Sequence, residues 1–277
     1  MADGSFSPAP RDIHARSVSF DFSKVPRHWL GGSVVATHVA NGVNLLFPAG
    51  ERFFVRSVHR YMNRVTDPGL RAQIKGFFGQ EGRHAKEHER FFEILTAQGY
   101  DIARFGRLYE KVAFGFIERV APPELSLATT AACEHFTALL AENALRLRIL
   151  DEIADPSMRA LLLWHSAEEI EHRAVAFDVL QQVNASYGLR VAGLAMAASL
   201  LSGFWVLGTL SLLAQEDASA RELYADWRKA KRFSESRGER AVFLRGMQQY
   251  LGRDFHPLQD ASLDALARDY LAGEGLA

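Results

Sequence analysis

From about residue 33 onward the apolar side chains recur three and four positions apart, the spacing that lays one hydrophobic stripe along a helix. Proline and glycine interrupt this period but never replace it with alternation and hairpin turns, the signature of strands. The pattern predicts an all-α fold. A first helix is expected over about 33–65. Pro48 should kink or restart it just before Glu51, because proline removes a donor and clashes with the preceding turn. Asp67-Pro68-Gly69 is a break, with Asp67 as N-cap and Pro68 at the first helical position. A second helix then runs to about Gln98, with Gly99 as its C-cap. A third is expected over about 101–120, ended by Ala121-Pro122-Pro123, and a fourth over about 124–153. Asp155-Pro156 repeats the earlier turn chemistry and opens a fifth helix to about Val183. Residues 1–30, with Pro8, Pro10 and Pro26, read as an extended arm. Residues 31–277 read as a single helical domain: a bundle over about 33–185, an apolar helix over about 188–215 and C-terminal helices over about 218–277.

The two halves of the bundle form a weak internal repeat. Each has a helix with one glutamate, an Asp-Pro turn, then a helix with Glu-x-x-His. The residues are Glu51 followed by Glu81 and His84, then Glu134 followed by Glu169 and His172. Residues three apart on a helix share a face, so a carboxylate and an imidazole at that spacing can grip one cation. Two such motifs, with a glutamate from each of two further helices, are the di-iron or di-manganese recipe of four-helix bundles. Glu51 lies 30 residues before Glu81, and Glu134 lies 35 before Glu169. At about 1.5 Å rise per residue, each interval fits half a helix, a turn and half a helix back. Four inward carboxylates also make sense only if cations compensate them, since a lone buried carboxylate is expensive.

Composition narrows the partners. The net charge is −1 and the pI about 6.8, which gives no support for nucleic-acid binding. Cys133 is the sole cysteine, so no intrachain disulfide can form, in keeping with a cytoplasmic setting. The first 16 residues lack the apolar run of a secretory signal. Residues 191–214 carry no charge and are long enough to span a bilayer, yet they are rich in small residues that suit close helix packing. The first reading is a buried or dimer-forming helix, the second a membrane contact. The basic stripe of Arg221, Arg228, Lys229, Lys231 and Arg232 reads as a solvated face first and a membrane-surface contact second.

Several neighbours compete with the six candidates. Glu168 lies four residues before His172, but Glu169 matches the spacing of Glu81 to His84. His88 and His165 share the faces of the two motifs and read first as core histidines. Glu142, two turns after Glu134, reads as a surface carboxylate. Asp178, Glu87 and Glu171 are candidate partners for the second nitrogen of a ligand histidine. His84-Ala85-Lys86-Glu87-His88 also fits His-x-x-Glu-His, in which two histidines bind zinc and the glutamate is the base.

At these residues the chain resembles the ferritin-like di-metal carboxylate superfamily. Within it, it resembles a helical bacterial family labelled "predicted metal-dependent hydrolase". The words that carry the resemblance are Phe47-Pro48-Ala49-Gly50-Glu51, Gln80-Glu81-Gly82-Arg83-His84, the run from Trp164 to His172, and Phe255-His256-Pro257, within about 30–260. The resemblance implies a ferritin-like four-helix bundle with added C-terminal helices. It also implies Glu51, Glu81, His84, Glu134, Glu169 and His172 as ligands and oxygen chemistry at two ions, Fe/Fe or Mn/Fe. The leading expectation is therefore an oxidoreductase. It would be an oxygenase using dioxygen and an external electron donor on a small apolar substrate, with phenylalanine pairs 53/54, 77/78 and 91/92 near its pocket. A homodimer is also expected. The alternatives are a zinc hydrolase using the His84–His88 motif, and a ferroxidase or metal-binding protein without organic substrate.

Overall fold

A computed structural model describes residues 11–276; the first ten residues of the expected arm lie outside the described residues. The described chain is all-α, with one isolated bridge between Leu30 and Ile153. The helix expected over 33–65 is two, α1 (Val34–Asn44) and α2 (Phe47–His59). The chain turns at Leu45 and Leu46, and Pro48 sits in the first turn of α2, where its missing N–H is tolerated. Glu51 thus lies within the first turns of a fresh helix. Asp67 caps α3 (Pro68–Ala97), accepting from the Leu70 N–H at 3.0 Å. Asp155 caps α7 (Pro156–His172), accepting from the Met158 N–H at 2.9 Å.

Between them the chain forms α4 (Ala103–Tyr109), a π-helical segment (Glu110–Ile117), α5 (Glu118–Val120) and α6 (Pro123–Arg146). The helix expected to reach residue 153 stops at Arg146. Arg148 adopts a left-handed conformation, φ 54°, and a 3-10 turn follows over Ile149–Glu152. The helix expected to run to Val183 pauses directly after His172, and α8 (Val175–Val183) continues separately. The remaining helices are α9 (Tyr187–Leu213), α10 (Ala220–Arg237), α11 (Glu239–Tyr250) and α12 (Ser262–Gly273).

α2 packs on α3, and α6 packs on both α7 and α8; the pairs meet around a polar layer. On α3 that layer is bounded by Ile74 and Phe77 on one side and by Phe91 and Leu95 on the other. These residues belong to two separate apolar clusters. The polar layer is therefore enclosed between two water-excluding ones.

α9 lies along α6 and α1. It is the one helix among the described residues long and apolar enough to cross a membrane, and 28% of its most apolar window is buried. Its inner face approaches closely: a Cβ on Gly193 would lie 2.5 Å from the backbone of Ala128. Its outer face leaves Val206, Leu207 and Leu210 exposed.

Residues 11–30 form no helix and lie against the bundle, burying Phe22 and Trp29; the Trp29 indole donates to Asn41 Oδ1 at 3.0 Å. Arg173, directly after His172, donates to Asp264 at 2.7 and 2.9 Å and to the Pro257 carbonyl at 3.0 Å. It pins α12 and the Phe255-His256-Pro257 turn to the end of α7.

Candidate metal centre

Four helices each contribute buried acids or imidazoles to the polar layer. α2 brings Glu51; α3 brings Glu81, His84 and His88; α6 brings Glu134; α7 brings His165, Glu168, Glu169 and His172. All are nearly or fully inaccessible to water. The structure brings the six sequence candidates together. His172 Nε2 lies 3.2 Å from Glu81, 3.3 Å from Glu134 and 3.5 Å from Glu169. His84 Nδ1 lies 3.7 Å from Glu169. Ligand atoms of Glu51, Glu81 and His84 fall within 4.8 Å of one another, as do those of Glu81, Glu169 and His172.

The outward nitrogens of the two motif histidines are fixed. His84 Nε2 bonds Glu168 at 3.0 Å, and His172 Nδ1 bonds the Gln80 amide oxygen at 3.0 Å. Each ring therefore turns its other nitrogen inward, the arrangement that orients metal-ligating imidazoles. A further layer holds these partners. Arg16 donates to Glu168 at 3.0 Å and, through both terminal nitrogens, to Glu171 at 2.6 and 2.8 Å. Gln80 Nε2 also donates to Glu171, at 2.8 Å. Of the three partners the sequence offers, Glu171 serves at one remove, Asp178 pairs with His256 at 2.8 Å and Glu87 is taken by Arg90 at 2.6 Å.

His88 and His165, expected as core histidines, belong to the polar layer. They bond each other at 2.7 Å, and His165 Nε2 bonds Glu169 at 2.9 Å and lies 3.7 Å from Glu51. The available signal was spacing: His88 sits one turn after His84, and His165 one turn before Glu169. Gln80 and Arg16 had no such signal. Glu142 is not the surface carboxylate expected. It is buried, held by Arg245 and by Arg146 at 3.4 Å, and stands apart from the layer.

The donor set fits cations. Seven buried carboxylate oxygens have no hydrogen-bond partner: both of Glu51, Glu81 and Glu134, and one of Glu169. His84 Nδ1 and His172 Nε2 are likewise unpartnered. Buried charges without compensation are strongly unfavourable, and mixed carboxylate–imidazole sites suit divalent transition ions. Electrostatics point the same way. Burial first, then repulsion from neighbouring glutamates, pushes the carboxyls of Glu51, Glu81 and Glu134 well above the ordinary range. Burial acts on Glu169 in the same direction, but His172 and His165 outweigh it and hold that carboxyl well below. Burial, helped by neighbouring imidazoles, keeps His84 and His88 neutral, the state that binds metal. Zinc chemistry in the His-x-x-Glu-His manner would need Glu87 as base, but its carboxylate faces Arg90 instead.

Searches against curated proteins and solved structures return no match. The profile of a family described as "predicted metal-dependent hydrolase" matches residues 14–261. That finding overturns the expectation of a di-iron oxygenase and oxidoreductase and favours the hydrolytic alternative. The physical reason for the error is that glutamate and histidine at helical spacing specify a cation, not its reaction. The same oxygens and imidazoles serve a redox ion or a Lewis acid. Spanning nearly the whole described chain, the match shows that this protein belongs to the predicted metal-dependent hydrolase family.

Proposed function

We propose that the protein is a hydrolase whose Glu51, Glu81, His84, Glu134, Glu169 and His172 hold two divalent cations in a ferritin-like arrangement. The observation that carries this reading is the set of seven unpartnered carboxylate oxygens facing inward imidazoles in a dry layer. Ions of this kind acidify water and polarise the bond to be cut. The chain's own groups do the rest. Glu168 and Gln80 orient the two motif imidazoles, and Arg16 holds both the Glu168 carboxylate and Gln80's partner Glu171. His165 bonds Glu169 through Nε2 and His88 through Nδ1 and stands near Glu51, so it would donate to the Glu169 carboxylate and fix its orientation at the site. The apolar layers on either side exclude bulk water, which strengthens every charge interaction between them.

The test is metal analysis of protein purified from cells supplied with zinc, manganese and iron, combined with assay of ester, amide and phosphoester substrates. Bound divalent metal is expected, with hydrolysis lost on chelation and restored on metal return. Protein that keeps its full metal content in both Glu81→Ala and His172→Ala would refute the site. Metal-loaded protein inert toward all three substrate classes would refute the reaction.

A further inference from the structure

A cavity opens beside the polar layer, with an empty volume of about 780 Å3 counting the space at its mouth. A concave, mostly apolar lining with a few polar groups is the character of small-molecule sites. Its walls come from α2, the π-helical segment, α6 and α9, and include Phe53, Phe114, Ile117, Met196 and Leu200. Glu51 lines it and also belongs to the polar layer, and both its oxygens lack hydrogen-bond partners. Phe47, another wall, packs on His88 and His165 with ring centres 4.8 and 4.6 Å apart. The cavity therefore ends at the reacting groups.

Three of the polar groups on the remaining walls are already engaged. Thr129 Oγ1 donates to the Leu125 carbonyl at 2.8 Å, and Thr137 Oγ1 donates to the Glu134 carbonyl at 3.1 Å. Glu118 is held by Arg56 at 2.7 Å. A ligand would find mostly hydrocarbon along the walls, with Tyr109, Ser126 and Cys133 among them, and the buried acids at one end. The wall formed by Glu110–Ile117 is π-helical, a local widening that recurs at functional sites. Phe116 of this segment and Val120 of α5 stand 64% and 65% exposed, an apolar approach.

We infer that the substrate is an ester with a hydrocarbon acyl chain, the chain lying in this cavity and the ester group beside Glu51. This rests on the hydrolytic reading above. In the reaction, the water oxygen bonds to the acyl carbon and the acyl–oxygen bond breaks. One proton goes to the leaving alcohol and one is released as the acid ionises. The products are a carboxylate with its apolar chain and an alcohol.

The experiment uses the full metal-loaded chain and two readouts. The first is displacement of the apolar fluorophore N-phenyl-1-naphthylamine by decanoate. The second is kcat/KM for p-nitrophenyl esters from acetate to decanoate. Decanoate should displace the fluorophore, and kcat/KM should climb at least tenfold from acetate to the longer esters. Leu200→Trp on α9 and Ala113→Phe on the π-helical segment each narrow the cavity, so either serves if the other fails to fold. Each should weaken decanoate binding at least tenfold and flatten the chain-length series, while metal content and acetate hydrolysis hold. Acetate turnover with no gain from chain length and no decanoate binding would overturn the acyl-chain assignment and leave the hydrolase standing. Decanoate binding without hydrolysis of any ester would overturn both.

Discussion

Glu134 and Glu142 lie two turns apart on α6, are both buried, and have opposite surroundings. Glu134 has no hydrogen-bond partner for either oxygen and faces His172, whereas Glu142 is answered by Arg245 and Arg146. On the proposed site, removing the first takes away an anionic metal donor; removing the second frees arginines that can reach water. Glu134→Ala should therefore retain half the metal or less by elemental analysis and lose turnover, whereas Glu142→Ala should keep its full complement. Stripped of metal, Glu134→Ala should melt no lower than the wild type, because it deletes a buried carboxylate that nothing else compensates. Equal metal content in the two variants would show that the ligands lie elsewhere. Order and spacing pointed to Glu134, and the structure does bring it into the polar layer beside His172. They could not reveal Glu168, Gln80 or Arg16. Those roles depend on which side of a helix meets which neighbour, and Arg16 arrives from 152 residues away.

At the scale of elements, turn chemistry was the most legible feature. Both Asp-Pro pairs cap their helices as their side chains dictate. The π-helical segment was invisible, because Glu110–Ile117 has ordinary helix composition. The end of α6 was misplaced for a similar reason: nothing in the local sequence marks Arg148 as left-handed. α9 was ambiguous by composition, and its glycines now separate. A Cβ at Gly193 would strike the backbone of Ala128, which no rotamer change can relieve, whereas at Gly203 it would meet nothing within 4 Å. Gly193→Ala should cost about 1–3 kcal/mol by overpacking, partly offset by helix propensity. Gly203→Ala should instead gain up to about 1 kcal/mol. Urea unfolding of the two variants measures both, and equal shifts would mean that α9 does not pack on α6 as described.

The whole molecule is tied together at one further acid. Glu216, just past α9, accepts from His28 of the arm at 3.2 Å, from His38 of α1 at 2.6 Å and from the Tyr100 hydroxyl ahead of α4. Burial works against its ionised form, but the bonds from Tyr100, His38 and His28 prevail and lower its carboxyl to about 2. A folded value below the ordinary 4.5 means stabilisation that is complete above pH 4.5 and disappears as pH falls toward 2. Glu216→Gln should therefore be less stable than wild type by about 1–2 kcal/mol at neutral pH, allowing for solvent screening. The gap should close by pH 2, as thermal melts across that interval will show; a gap constant with pH would assign the effect to packing.

Arg16 also donates to the Leu276 carbonyl at 2.5 Å, so one guanidinium joins both ends of the described chain to the carboxylates behind His84 and His172. Contacts 260 positions apart in sequence are among the slowest a chain can close. The outermost support of the polar layer thus closes across one of the longest sequence separations in the described chain. On the proposed site, a chain whose last segment has not docked should hold its ions more loosely and surrender them sooner to a competing chelator.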